Sequence, residues 1–223
     1  MIPRKTNDGR FTVRNAIADD AKQLEKVQLL CFPTLSRDEI LTEAHFANHI
    51  KIFPEGQIVI TDGEELIASC SSLRTTFPFT KHSFLEATDN LWITKAHKPD
   101  GDWLYCFDMG VLQAYRGLKL SAEMYNARKE LARLSGMKGL FIEGLASGYQ
   151  RYKSEFTIQE YCEKLKNYEL TDPTISPQRK AGFHWVKPLY GFVNDPAAGN
   201  CSILMVWTVE SVSIQEYIEK CKD

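Results

Sequence analysis

With 223 residues, 43% of them hydrophobic, the chain is long enough to bury a full core, and its length suits one elaborated domain spanning 1–223. Its 27 Lys and Arg nearly balance 29 Asp and Glu, a net charge of -2, which leaves no basic surplus for nucleic acid and no charged tail. The longest apolar runs are strand-sized, so none reads as a membrane span, and residues 1–9 lack the apolar stretch of a secretory signal; a cytoplasmic protein is expected.

The polar lead-in, residues 1–9, is expected to fray. Phe11-Thr12-Val13-Arg14 then reads as a short strand. Ala18-Asp19-Asp20 opens a helix with Ala21, Leu24, Val27, Gln28 and Cys31 on its inner stripe, stopped at Phe32-Pro33. A second helix is predicted from Ser36 to about Lys51, with Ser36 as cap and Glu39 completing a capping box. Asp62-Gly63-Glu64-Glu65, between the apolar runs 57–61 and 66–73, is a hairpin signal. Residues 75–102 are poorly periodic, with Pro78, Pro99 and Asp100-Gly101; an insertion of that length usually carries function or local structure. Residues 103–111 and 139–145 read as strands separated by an amphipathic helix at 118–134. A second insertion, 146–180, holds a helix starting near Thr157, with Ile158, Tyr161, Cys162 and Leu165 on its apolar face. Late strands at 183–186 and 202–209 flank a Gly/Pro/Asn-rich connection, and a short helix at about 213–220 closes the chain.

The most informative stretch is Val111-Leu112-Gln113-Ala114-Tyr115-Arg116-Gly117-Leu118-Lys119-Leu120-Ser121-Ala122-Glu123-Met124. An Arg-Gly turn between a strand and a helix leaves backbone N–H groups unpaired at a positive helix end, which is a common way to hold phosphate. No Ser, Thr, Asp or Asn stands in the capping position, so a ligand pyrophosphate is a candidate partner for those donors. The cysteines, Cys31, Cys70, Cys106, Cys162, Cys201 and Cys221, form no Cys-x-x-Cys pair and read as packing thiols. His45 and His49 are a helical turn apart but lack a third ligand, so no metal site is expected.

Val111-x-x-x-Tyr115-Arg116-Gly117, followed by an amphipathic helix and later by Ala181-Gly182-Phe183, resembles the acetyl-CoA-binding core of the GNAT N-acetyltransferases over roughly residues 11–209. Several segments are similar to one bacterial subgroup in which a GNAT-like domain is fused to a carbon–nitrogen hydrolase domain. They are Ile52-Phe53-Pro54-Glu55-Gly56-Gln57, Ser69-Cys70-Ser71-Ser72-Leu73, Thr88-Asp89-Asn90, Ala127-Arg128-Lys129-Glu130-Leu131-Ala132 and Tyr149-x-x-Tyr152. The resemblance implies an α+β fold, a mixed α/β sandwich whose mostly antiparallel sheet is flanked by helices. Its fourth and fifth strands, here 103–111 and 139–145, would run parallel and splay apart around acetyl-CoA. Backbone groups at Met109, Gly110 and Val111 would pair with the pantetheine, and amides of Arg116, Gly117, Leu118, Lys119, Leu120, Ser121 and Ala122 would cradle the pyrophosphate. The family's turn reads Arg/Gln-x-x-Gly-x-Gly/Ala; Arg116 fits, whereas Lys119 and Ser121 replace the glycines. Lys119 suits the turn if its φ is negative. Its ammonium would either attract a phosphate or sit solvated on the first helical turn.

The implied reaction is acetyl transfer to a primary amine, small-molecule or peptide, by a monomer or homodimer. A lysine-like amine of pKa about 10.4 is mostly charged at pH 7, so a nearby base raises the rate. Asp108 is the acidic side chain inside an otherwise apolar strand and is the first candidate base; the alternative is a carboxylate paired with an arginine or a backbone donor. Glu143 is similarly placed on the neighbouring strand. Strict alternation puts Asp108 on one face with Leu104 and Cys106, unless a bulge, frequent in this strand of the family, breaks the parity. The family's usual acid is a tyrosine four residues before the Gly-Phe pair, where this chain has Gln178; Tyr149 is the candidate replacement, with Tyr152 beside it. The insertions also carry Phe77, Phe79, Phe84, Trp92 and Tyr161, which either line an acceptor pocket or pin the insertions to the sheet. The missing tyrosine and glycines leave a second reading open: a CoA-binding, assembly or regulatory module with little catalysis.

Overall fold

The structure, a computed structural model, describes residues 2–78 and 82–221; Phe79 lies outside them. The apolar runs settle as strands β1 (Arg4–Lys5), β2 (Thr12–Asn15), β3 (Ile58–Asp62), β4 (Glu65–Thr75), β5 (Trp103–Val111), β6 (Gly139–Leu145), β7 (His184–Tyr190) and β8 (Cys201–Thr208). They form one 8-stranded sheet in the order β1-β2-β3-β4-β5-β6-β8-β7. Every neighbouring pair is antiparallel except β5 and β6. That parallel pair runs from Trp103 opposite Gly139 to Cys106 opposite Ile142 and then stops, although both strands continue. Beyond Cys106 they splay.

Helices cover both faces. On one side, α1 (Ala21–Cys31), α2 (Glu43–Ile52) and the short α3 (Phe84–Ala87) bury Leu24, Val27, Phe46 and Phe84 against the sheet. On the other, α4 (Leu120–Leu134) packs Leu120, Met124 and Ala127 against β2, β3 and β4. α5 (Ile158–Lys166) and α6 (Ile175–Lys180) extend that layer through Tyr161, Leu165 and Ile175. The closing α7 (Ile214–Lys220) seats Tyr217 against Phe77 and Trp103. Among the described residues no helix is long and apolar enough to cross a membrane.

Two predicted segments fold otherwise. The lead-in is pinned rather than frayed: Arg4–Lys5 pairs with β2, the Arg4 guanidinium meets Glu123 at 2.9 Å, and the Asn7 N–H donates to the same carboxylate at 2.7 Å. The single helix expected from Ser36 to Lys51 is broken into a 3-10 turn, Arg37–Glu39, and α2. Glu39 does not close a box on Ser36; it accepts the Asn194 N–H at 2.8 Å, tying this segment to the β7–β8 connection. Leu41 is then fully buried, and α2 restarts at Thr42, whose N–H donates to His45 Nδ1 at 3.2 Å.

Candidate active site

Where β5 and β6 part, a cavity of about 640 Å³ opens between the strand ends, the turn before α4, the end of α1 and the β7–β8 connection. A bulge sets its chemistry. Opposite Ser71 and Ser72 of β4, the register of β5 skips from Asp108 to Cys106, leaving Phe107 as the extra residue. Leu104 and Cys106 therefore pack under α4 and α5 with Tyr125, whereas Asp108 turns towards α1 and the Gln28 amide. Two residues on, Gly110 faces the same way, and a Cβ there would come within 3.0 Å of Cys31 Sγ, so the close approach of strand and helix requires glycine. Strict alternation, which put Asp108 with Leu104 and Cys106, is thus corrected by the bulge.

Asp108 is 6% exposed, and its Oδ2 has no hydrogen-bond partner among the described residues. Burial pushes its carboxyl up to about 7, against the opposing pull of the Arg128 guanidinium and the Gln28 amide. Arg128 itself is 1% exposed and forms the clamp beneath the bulge. It donates from Nε to Ser72 Oγ at 2.9 Å, and from Nη2 to Ser71 O and Asp108 O, each at 2.6 Å. Sequence reasoning gave Arg128 no role. Its signal was its position, eight residues after Leu120 and four after Met124, on the buried stripe of α4.

Glu143 lies across the cleft with both oxygens engaged. His82 Nε2 meets Oε1 at 2.7 Å, and the Tyr105 hydroxyl donates to Oε2. Burial and the Glu143 charge hold the Tyr105 phenol well above its usual range. Tyr149 is not in the cavity wall. It donates to Phe156 O at 3.1 Å and packs against Tyr161, with ring centroids 5.5 Å apart, because the turn Tyr149–Arg151 folds into the core under α5. Tyr152 joins the same cluster, so these aromatic residues pin the insertion. Gln178 does line the cavity; its Oε1 is buried and unpartnered, and Gly144 leaves room for it, since a Cβ would lie 2.1 Å from that oxygen. Tyr125, beside Gln178 and buried, has its phenol raised to about 12.

The turn before α4 carries the donors. Gly117 has φ +85 and Lys119 φ +60, so Lys119 occupies the left-handed region rather than the negative φ expected of it. Among the described residues nothing accepts from the amides of Gly117, Leu118, Lys119, Leu120 and Ser121. The Ala122 amide is already spent on Lys119 O at 3.0 Å, and Arg116 N donates to Gln113 O at 3.3 Å, which takes both out of the expected set of free donors. Met109, Gly110, Val111, Arg116, Gly117, Lys119, Leu120 and Ser121 line the cavity; Leu118 packs instead with the apolar cluster around Leu120. Arg151, in the turn after β6, also contributes to the lining. Behind Phe107, with ring centroids 5.5 Å apart, His49 is fully buried with Nε2 at 2.6 Å from Leu91 O, and burial lowers it to about 4, so it is a neutral packing group.

No protein-family model matches the chain. In sequence it is 33% identical over 202 residues to the "Probable hydrolase YhcX" of Bacillus subtilis (strain 168), a match over 89% of this chain that spans only 38% of that protein. It is 30% identical over 208 residues to the "Uncharacterized N-acetyltransferase YkwB" of the same organism, covering 90% of this chain and 92% of that protein. Among solved structures, the loading GNATL domain of CurA from Lyngbya majuscula superposes with a TM-score of 0.75 at 18% identity, over 89% of this chain and 97% of that one. The GphF GNAT-like decarboxylase in complex with isobutyryl-CoA gives 0.71 at 15%, over 88% and 98%. The ribosomal-protein-S18-alanine N-acetyltransferase from Escherichia coli gives 0.57 at 11%, over 92% and 97%. At these structural identities the likeness is one of fold.

Proposed function

The chain belongs to the GNAT N-acetyltransferase superfamily, and from that premise we propose that it transfers the acetyl group of acetyl-CoA to a primary amine, with Asp108 as general base. The observation that carries this reading is the unpartnered, buried Oδ2 of Asp108 at the point where β5 and β6 part.

The residues present fit coenzyme A. The free amides of residues 117–121, with Arg116 and Lys119 in the same turn, suit a diphosphate at the positive end of α4. The unpaired edge of β5 at Met109, Gly110 and Val111 suits the pantetheine amides, which leaves the inner end of the cleft, at Asp108 and Gln178, for the thioester. Bound there, acetyl-CoA supplies an activated acyl group. Asp108, at about 7, is half ionised at neutral pH and takes the proton that the attacking amine must lose. Glu143, with both oxygens committed to His82 and Tyr105, positions those side chains and does not act as the base. Gln178 donates hydrogen bonds but cannot deliver a proton to the departing sulfur. Thiol release from acetyl-CoA, measured against a panel of amines, tests the reading; a CoA-induced thermal shift without turnover of any amine refutes it.

Gln178 favours a second reading. Loss of CO2 from a malonyl-type thioester breaks a C–C bond, leaves the C–S bond intact and so needs no acid beside sulfur. The new carbon centre takes a proton, which the protonated half of the Asp108 population can deliver. The GphF domain is a GNAT-like decarboxylase by name. Conversion of malonyl-CoA to acetyl-CoA without added amine supports this alternative. Tight CoA binding with neither reaction leaves a CoA-binding module.

A further inference from the structure

The two ends of the cleft differ in chemistry. Arg116 and Lys119 belong to the turn before α4, whereas the end under α1 is walled by Phe32, Leu35, Phe84, Phe107, Phe192 and Val193. That apolar wall is built, not incidental. The Phe84 N–H donates to Phe192 O at 2.9 Å, the two rings meet edge-on at 6.1 Å, and both pack with Leu24 and Val27 of α1. The basic groups that reach it are already engaged: the His82 ring stands 5.7 Å from that of Phe192 with Nε2 at 2.7 Å from Glu143 Oε1, and Arg128 is held by Ser72 Oγ, Ser71 O and Asp108 O.

Its carboxylates are nearly all spent. Asp195 Oδ2 accepts from Thr34 Oγ1 at 2.9 Å, and its Oδ1 accepts from the Ala197 and Ala198 amides at 3.0 and 3.3 Å. Glu143 is held by His82 and Tyr105. Among the described residues, Asp108 Oδ2 is therefore the one unpartnered ionisable atom at this end; the neutral Ser202 hydroxyl, at the start of β8, also lines the cavity and is buried without a partner.

Given the acyl-transfer reading above, we propose that the acceptor is a monoamine on an apolar body of about ring size, an arylalkylamine in chemical class, with its nitrogen at Asp108 and its ring among Phe84, Phe107 and Phe192. An amino acid brings a carboxylate among aromatic rings where His82 and Arg128 are already engaged, so its desolvation goes uncompensated. A polyamine brings a second ammonium where no second free carboxylate waits, and a peptide brings amide groups that would lose water without gaining partners. Such unpaired groups are what make a site reject a competitor.

Thiol release from acetyl-CoA with the wild-type protein tests this directly, using ethylamine, butylamine, 2-phenylethylamine, phenylalanine, spermidine and a neutral tripeptide. The expected result is a kcat/KM that rises along the first three and exceeds that of each of the last three by about tenfold or more with 2-phenylethylamine. Phe192→Ala, checked for folding by its CoA-induced thermal shift, should raise KM for 2-phenylethylamine more than it lowers kcat. Best turnover with spermidine, phenylalanine or the tripeptide overturns the apolar acceptor and leaves acyl transfer standing. No thiol release with any amine, despite a CoA-induced shift, removes both.

Discussion

Replacing Asp108 by Asn should abolish most catalysis and stabilise the protein in alkaline solution, and both effects have one cause. Burial lifts the carboxyl from 3.8 to about 7 in the folded protein, whereas in the unfolded chain it titrates near 3.9. Between those values the folded state holds a proton that the unfolded state has released, so stability falls as pH rises through the window. Above the folded value, ionised Asp108 costs the fold about 4 kcal/mol, and below about pH 4 both states are protonated and the cost vanishes. Roughly 2.5 kcal/mol of the loss falls between pH 5 and pH 8. Asn keeps the shape and cannot ionise. Urea unfolding at these two pH values should show the variant with a flatter dependence and a gain at pH 8 of about 2 kcal/mol, once ~1–2 kcal/mol is deducted for an amide lacking full hydrogen bonding. In the same variant, amine-dependent thiol release should drop by about 100-fold or more and lose its acid limb near pH 7. A variant that keeps that limb and most of its rate places the base elsewhere. An unchanged slope of stability against pH means that the carboxylate is solvated or paired in solution.

Glu143→Gln should keep the acid limb near pH 7, because both Glu143 oxygens are already taken by His82 and Tyr105. It should lose about 1–2 kcal/mol of stability in urea unfolding as that charged acceptor is removed. Lys119→Gly and Lys119→Ala both remove an ammonium, but only glycine relieves a left-handed φ of +60. Thermal melts should place the Gly variant about 1 kcal/mol above the Ala variant, and CoA titrations should show both weakened at low salt and less so at high salt; equal melts would mean that the turn holds no strain. Arg128→Met should cost about 3 kcal/mol, since it leaves the buried carbonyls of Ser71 and Asp108 without a donor. Losing that positive charge should also move the acid limb above pH 7, because Arg128 opposes the upward push on Asp108.

The strands 103–111 and 139–145 and the helix between them were legible because continuous apolar runs and a 3.6-residue stripe are local properties. The inner stripe of α1, including Gln28, was legible for the same reason. What escaped depends on contacts between distant segments. Ser36 and Glu39 have the spacing of a capping box, but Asn194, 155 residues from Glu39, offers a competing donor and wins. Lys119 reads locally as a helix start, yet closing the turn after Gly117 demands a left-handed residue whatever its side chain. The bulge at Phe107 belongs to a pair of strands, since it exists only in the register between Ser71-Ser72 and Cys106–Asp108, and no periodicity within β5 can reveal it.

The bulge and Arg128 also explain each other. An extra residue in β5 disrupts the ladder and leaves carbonyls of both strands without strand partners in a buried place, which is costly unless a donor reaches them. Arg128 reaches both, Ser71 O from one strand and Asp108 O from the other, and its Nε takes Ser72 Oγ. A lysine, with a single nitrogen, could not span the three acceptors in a fixed plane. Because the bulge is what turns the Asp108 side chain towards α1, the aim of the candidate base depends on a side chain 20 residues later that contributes nothing to the helix stripe by hydrophobicity. The same guanidinium restrains the Asp108 shift, so one residue sets both the direction of the carboxylate and the pH at which it can accept a proton. Arg128→Lys separates the two roles: it retains most of the charge that restrains Asp108 while losing the planar clamp. If activity then falls while the acid limb stays near pH 7, the clamp and not the charge positions the base; an upward move of the limb as large as in Arg128→Met would refute that division.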